Sequence, residues 1–207
     1  MAKYKEYLKS IAIILGTNAA SYFLIKLFIK HYNVLDSFIK VPIVKGFVFF
    51  YDSWYPFIIL MALVIYLHDR DKYHKLLFAM LITMILSYIT FVSYPTMVER
   101  PVIEVKTFLD WVLDITYKTD TPAVNCLPSL HCIFSFLIAY YAFISKKLKK
   151  WAKCTILIYT ILIALSTVFI SQHVVEDIIL AIIYTIIAIL LVHRYHEKME
   201  KLLHFIF

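Results

Sequence analysis

Two histidines stand at the water-facing ends of apolar segments. His131 closes the run Pro128-Ser129-Leu130-His131 and opens one such segment. His173 opens another, with Asp177 four residues further on. In a helix that spacing puts Asp177 on the face of His173, one turn deeper. A carboxylate beside an imidazole fixes its tautomer and stabilises its charged form. A histidine held in this way is equipped to act as a nucleophile or a base.

Other residues point to an anion as the ligand. Helix N-termini leave backbone N–H groups unpaired and carry partial positive charge. Pro128 suits an early helical position, where its missing N–H costs little. Ser129 then offers a hydroxyl beside free N–H groups, a natural phosphate cradle. Arg100, in Arg100-Pro101, adds a planar fork that can grip phosphate oxygens in two places. Asn125 lies where it can brace the turn before Pro128. Each piece alone has a bland explanation: a packing pair for His-x-x-x-Asp, an interfacial anchor for the arginine. Their order and common membrane face argue for them together, because ionisable groups at membrane depth are costly and mark function.

The elements that position these residues are membrane helices. The chain has 207 residues, 62% of them hydrophobic, a mean hydropathy of +0.80 and two glycines. Soluble domains average roughly 45–50% apolar. The apolar stretches are continuous rather than alternating, which argues against a β-barrel. Six helices are expected, at about 10–29, 55–67 (beginning nearer 47 in one variant), 76–94, 131–144, 154–170 and 174–192. The fourth and fifth fall short of the roughly 20 residues that cross a hydrocarbon core, so their ends must extend into polar flanks or the membrane must thin. The expected fold is all-α, a polytopic membrane protein with a six-transmembrane-helix bundle and both termini cytoplasmic. Residues 1–207 form one domain.

Charge sets the orientation. The net charge of +7 would suggest nucleic acid in a soluble protein, but here the basic residues fall between spans, and no nucleic acid partner is expected. Fourteen lysines and arginines, from Lys3 to Lys201, lie on the side of the termini, and six (Lys30, Lys40, Lys45, Arg100, Lys106, Lys118) on the other. The excess marks the cytoplasmic side. The loops 32–54 and 95–130 are then outside, with the starts of the fourth and sixth spans. His68, His74, His193, His196 and His204 read as solvated or headgroup-facing, and Glu176 as a rim residue. Cys126, Cys132 and Cys154 form no CxxC pair and are expected as apolar fillers. A metal held by His131, His173 and Asp177 lacks a supporting shell of acids, so neither metal nor cofactor is expected.

These motifs resemble those of the type-2 phosphatidic acid phosphatase superfamily: Lys-x6-Arg-Pro, Pro-Ser-Gly-His and Ser-Arg-x5-His-x3-Asp. Arg100-Pro101 matches the end of the first. Pro128-Ser129-Leu130-His131 matches the second with leucine for glycine, and Ser166-Thr167-x5-His173-x3-Asp177 the third with threonine for arginine. Ser93 stands where the family has lysine. The pattern with Asn125 and Gln172-His173 looks more like the inositol-phosphorylceramide and sphingomyelin synthase branch, whose members transfer a phospho-alcohol headgroup between lipids. A phosphodiester carries about one charge where a monoester carries up to two, so fewer cations suffice. The resemblance implies a metal-independent lipid phosphate phosphatase or headgroup phosphotransferase at the outer leaflet, working through a phosphohistidine. His131, His173 and Asp177 are the expected catalytic residues, and Arg100, Ser129 and Asn125 the expected substrate-binding ones. The partners would be a lipid phosphate or phospholipid and the membrane itself, a bacterial plasma membrane by the short loops. The alternative is a non-catalytic lipid-phosphate-binding or transport component on the same scaffold.

Overall fold

The computed structural model describes the backbone of residues 4–206 and the side chains of 4–198. Lys3 and the side chains of Lys201 and His204 lie outside the described residues. In chain order the elements are α1 (Lys5–Phe28), β1 (Asn33–Leu35), a 3-10 turn (Lys45–Phe47), α2 (Val48–Asp52) and α3 (Trp54–His68). They continue with α4 (Arg70–Ser93), β2 (Thr96–Val98), α5 (Phe108–Thr119), α6 (Leu130–Ile144), α7 (Lys150–Phe169) and α8 (Val175–Ile206).

The helix α6 is the axis of the bundle. Cys132, Ile133, Phe134, Leu137, Ile138 and Ala142 are fully buried, and α3, α4, α7 and α8 pack around them. Small residues at buried positions, Ala79, Ala142, Ala181 and Ala188, let backbones approach closely, the usual means of association where lipid supplies no hydrophobic drive between helices. The outer faces of α1, α7 and α8 carry exposed Leu, Ile and Phe, as lipid-facing surfaces do. Helices α1, α4, α7 and the Val175–Lys198 part of α8 are each long and apolar enough to cross a membrane. The 3-10 turn and α2 with α3 add a fifth candidate if taken as one span bent by 43°. At 15 residues α6 is shorter.

All six expected apolar helices are present, but their ends differ from the sequence expectation. α4 starts at Arg70 and α7 at Lys150, because helical hydrogen bonding continues through charged residues that apolarity alone would leave outside. Asp69 is the single residue between α3 and α4. Ser145 donates to its carboxylate (2.6 Å), tying this corner to the end of α6. His74 is therefore not solvated: it sits inside α4 and bonds Glu6 of α1 (2.6 Å). His196 likewise reaches Asp71 (3.1 Å), and a break in helical geometry at Tyr195 kinks α8 beside it. Pro128 is not an early helical residue, since Ser129 is the N-cap of α6. Glu176 accepts bonds from the Ser37 hydroxyl and the Phe38 amide, both 2.9 Å, so it anchors the loop after β1 rather than standing free at a rim.

Two structures occupy loops that the sequence reading left irregular. β1 and β2 pair in parallel, Asn33 with Thr96 through Leu35 with Val98. Beyond β2 the chain at Asn125 bridges Thr96, and Leu127 N–H donates to the Thr96 hydroxyl (2.9 Å). This small sheet ties Arg100, two residues past β2, to the turn that leads into α6. The other addition is α5, whose exposed Phe108, Trp111 and Ile115 form one apolar stripe at i, i+3 and i+7. It opens with a complete capping box: Asp110 N–H donates to Thr107 Oγ1 (3.2 Å), and Thr107 N–H to Asp110 Oδ2 (2.8 Å).

Lys45 bonds the Asp110 carboxylate, and this bond, with those from Thr107, holds it well below the usual carboxylate range. A depressed folded-state value means that the contribution to stability is present above the unfolded carboxylate range and is lost as pH falls through the folded one. Protection of the α5 amides, taken as exchange relative to the intrinsic rate at each pH, is therefore expected to fall at acid pH in the native protein. In Asp110→Asn that protection should already be low at neutral pH and change little with acid.

Candidate active site

The site is built where α2, α3, α6 and the corner between α7 and α8 meet. The corner is held by one carbonyl. Thr167 C=O accepts from the amides of Gln172 (3.0 Å) and His173 (2.9 Å), with Ser171 in a left-handed conformation (φ 52°) to make the turn. Val174 is the cap of α8 and Asp177 its third residue. Asp177 Oδ2 accepts from Val174 N–H (3.1 Å), the acidic half of a capping box. The same oxygen accepts from His173 Nδ1 (2.8 Å). A carboxylate only accepts, so the proton sits on Nδ1 and the Nε2 lone pair is left for an electrophile. Asp177 is fully buried and His173 is 8% exposed. Asp177 Oδ1 has no hydrogen-bond partner among the described residues, so the imidazole is the main group facing this buried charge.

His131 lies in the first turn of α6. Its ring centroid is 6.1 Å from that of His173, with the planes at 60°. Tyr51 stacks on it at 4.3 Å and Trp54 packs at 4.4 Å, while Trp54 Nε1 donates to the His131 carbonyl (3.1 Å). Tyr51 and Trp54 flank the break between α2 and α3, where Ser53 Oγ accepts from Tyr159 of α7 (2.7 Å). Both imidazoles line a cavity of about 320 Å³, with Asn125, Asp120, Asp52, Thr116, Gln172 and the aromatic side chains Tyr22, Tyr51, Trp54, Tyr55 and Tyr88.

The structure therefore brings His131, His173, Asp177 and Asn125 to one place. It treats Ser129 and Arg100 differently. Ser129 is fully buried, and its hydroxyl accepts from Cys132 N–H (3.5 Å); it caps α6 and does not line the cavity. Arg100 lies beside the cavity with its fork occupied. Its Nη1 donates to the carbonyls of Tyr117 (3.2 Å) and Asp120 (3.3 Å), and its Nη2 to the side chains of Asp120 and Gln172. The hydroxyls at the two neutral positions are turned to their own helices, while Lys26 of α1 reaches the cavity wall at Asp120 (3.4 Å). Ser93 bonds its own helix at Ile89 (2.7 Å), and Thr167 is buried with its hydroxyl on Ala164 (2.8 Å).

Several cavity residues had no sequence signal. Tyr51, Asp52 and Trp54 lie in an aromatic stretch that reads as an interfacial belt, and only the fold turns them inward. Gln172, next to His173, could have been suspected from its neighbour. Behind them, burial pushes the Tyr117 phenol up to about 12, and its O–H donates to the Ile170 carbonyl (2.6 Å), locking α5 to the α7–α8 corner. Cys126 is buried, and burial raises its thiol, so it is an inert filler of the cavity wall.

A family model described as the PAP2 superfamily matches residues 26–191. The chain belongs to the PAP2 superfamily. Membership points to phosphatase or phosphotransferase chemistry on phosphorylated lipids. No curated protein and no solved structure matches the chain. Replacing Asp177 by Asn keeps the shape but presents an amide to Nδ1. Turnover of a phosphoester should fall by roughly 10²–10⁴-fold, as when a buried orienting carboxylate is lost from other histidine-containing sites, at unchanged expression in the membrane.

Proposed function

We propose that this PAP2-superfamily protein cleaves a phosphate ester of a membrane lipid at His173, by metal-independent covalent catalysis at the outer leaflet. The observation that carries this reading is the pair of imidazoles on one cavity, one of them held by a buried carboxylate. His173 Nε2 attacks phosphorus at a near-attack separation of about 3–3.5 Å. As the P–N bond forms, the P–O bond to the leaving alcohol breaks, and His131 gives its proton to the departing oxygen. The Nδ1–H bond to Asp177 stabilises the positive ring. In the second half, water or a lipid alcohol attacks the phosphohistidine. His131 takes the proton of that nucleophile, the P–N bond breaks, and His173 is regenerated. Asn125, which lines the cavity, is the residue assigned to donate to the building charge. Arg100 acts through Gln172 and Asp120, setting their positions beside the reacting centre.

In this reading six helices cross the bilayer, with α2–α3 as a bent span and α6 as a short, buried one. Both termini face the cytoplasm, as the basic excess requires. The aromatic stripe of α5 lies in the outer interface, where Trp and Phe are at home. The source membrane is read as a bacterial plasma membrane. The neutral Ser93 and Thr167 favour a phosphodiester, and with it headgroup transfer, over a dianionic phosphomonoester.

Two experiments test this. Brief incubation with a donor lipid labelled at phosphorus should leave acid-labile, base-stable label on the native protein and none on His173→Ala, with free phosphate or phospho-alcohol reporting hydrolysis and a new lipid reporting transfer. Saturable lipid binding without label or turnover would instead identify a non-catalytic binding component. In a Cys154→Ser background, a membrane-impermeant maleimide added to intact cells should modify Thr121→Cys and not Lys147→Cys; the reverse pattern would place the site on the cytoplasmic side.

A further inference from the structure

A second cavity, of about 650 Å³, opens at the far end of the bundle, between the start of α4, the end of α6 and the end of α8. Helix α6 carries His131 at one end and Ile144 of this cavity at the other, about 20 Å apart by the rise of the helix. Part of the wall is apolar, with Ile144, Ile189 and Val192, and part is basic, with Lys72, Lys75, Arg194 and Lys198. On α8 the apolar pair precedes the basic pair, so the apolar part lies deeper in the bundle. Glu197 is the one carboxylate in the lining. Asp71, outside it, bonds Lys72 (2.7 Å), Lys75 (3.0 Å) and His196 (3.1 Å). Four cations against these two carboxylates leave a surplus of two positive charges with the histidines neutral. Topology alone gathers basic residues at this end, but it does not seat them in a cavity. The side chains of Lys72 and Lys75 are 22% and 23% exposed, against 65% for Lys147 at the same end. The consecutive residues 192–198 of α8 all line the space. A straight helix turns about 100° per residue and could show one cavity only part of such a run. The break at Tyr195 (φ −115°, ψ 15°) lies at its centre.

We infer that this cavity binds an anionic glycerophospholipid from the leaflet at the end where α1 begins and α8 ends. Arg194 and Lys198 hold the phosphate, with Lys72 and Lys75 opposite, and the upper acyl carbons lie against Ile144, Ile189 and Val192. The positive surplus selects an anionic headgroup, and the apolar depth selects a lipid over a soluble phosphate. The arginine fork can grip two phosphate oxygens at once. The bound lipid joins α4 to the bent end of α8, the helix whose head carries Asp177. The site is separate from the reacting centre and does not depend on the chemistry at His173.

The test uses the full chain carrying Tyr140→Trp, a reporter on the cavity wall, in phosphatidylcholine nanodiscs with a small fraction of brominated lipid, which quenches nearby tryptophan. Quenching beyond that of the native chain should saturate with brominated phosphatidylglycerol and stay weak with brominated phosphatidylcholine. Adding Arg194→Gln or Lys198→Gln should each weaken phosphatidylglycerol binding about fivefold, the worth of one cation beside an anionic surface. Lys150→Gln, exposed at the same end but outside the lining, should change it little. Equal quenching by the two lipids overturns the inference. So does an equal loss in Lys150→Gln and Arg194→Gln, which would reveal a diffuse surface field in place of a site. Relief of quenching by inorganic phosphate as effective as that by unbrominated phosphatidylglycerol assigns the cavity to a soluble anion and overturns it as well. The native chain gives an independent reading if the tryptophan variant does not fold: photoactivatable phosphatidylglycerol should label residues 189–198, and label confined to residues 118–131 overturns the inference.

Discussion

The bond from His173 Nδ1 to Asp177 Oδ2 is the contact on which the site depends. A carboxylate taken wholly out of water costs several kcal/mol unless something repays its lost hydration. Here the repayment comes from an imidazole and from the Val174 amide at the head of α8. One oxygen thus starts a helix, fixes a tautomer and points a lone pair into the cavity. The corner before it is equally economical: a single Thr167 carbonyl receives the two amides that turn the chain from α7 into α8. Moving either end of this corner would move the His173 imidazole.

The second histidine is placed by packing. His131 is set by aromatic rings from the α2–α3 break and by the burial of α6 within four neighbouring helices. The break sets two successive short helices at an angle, and its Ser53 is pinned to α7 through Tyr159. A continuous helix would carry Tyr51, Asp52 and Trp54 in a different fan. The distance between the imidazoles is therefore a property of the bundle, set by three helices that share no local sequence relation.

The outer layer joins these parts. β2 hands the chain to Arg100 and also receives the Asn125–Leu127 turn, while α5 reaches the α7–α8 corner through Tyr117 and the α2–α3 break through Thr116. Arg100 spends its fork inside this layer, on Tyr117, Asp120 and Gln172. Its charge organises the wall of the site. The parallel strands escaped sequence reading because three-residue strands have no measurable periodicity. α5 did leave a signal, Thr107 and Asp110 at capping-box spacing before an apolar run, but it was masked by the polar composition of the loop around it.

By itself the sequence determined the membrane class and the positions of the long apolar helices, because hydropathy and period act within one segment; it also paired His173 with Asp177, but by a shared helical face, whereas His173 precedes α8 (Val175–Ile206) and meets Asp177 from the turn before it. It also singled out His131 through a motif. Only the tertiary structure decided that Arg100 faces Asp120 and Gln172, and that aromatic residues and Asp52 enclose the space before the histidines. Those outcomes turn on which helices pack together and at what angle, and such contacts between residues far apart in the chain leave no periodic trace in the order of amino acids.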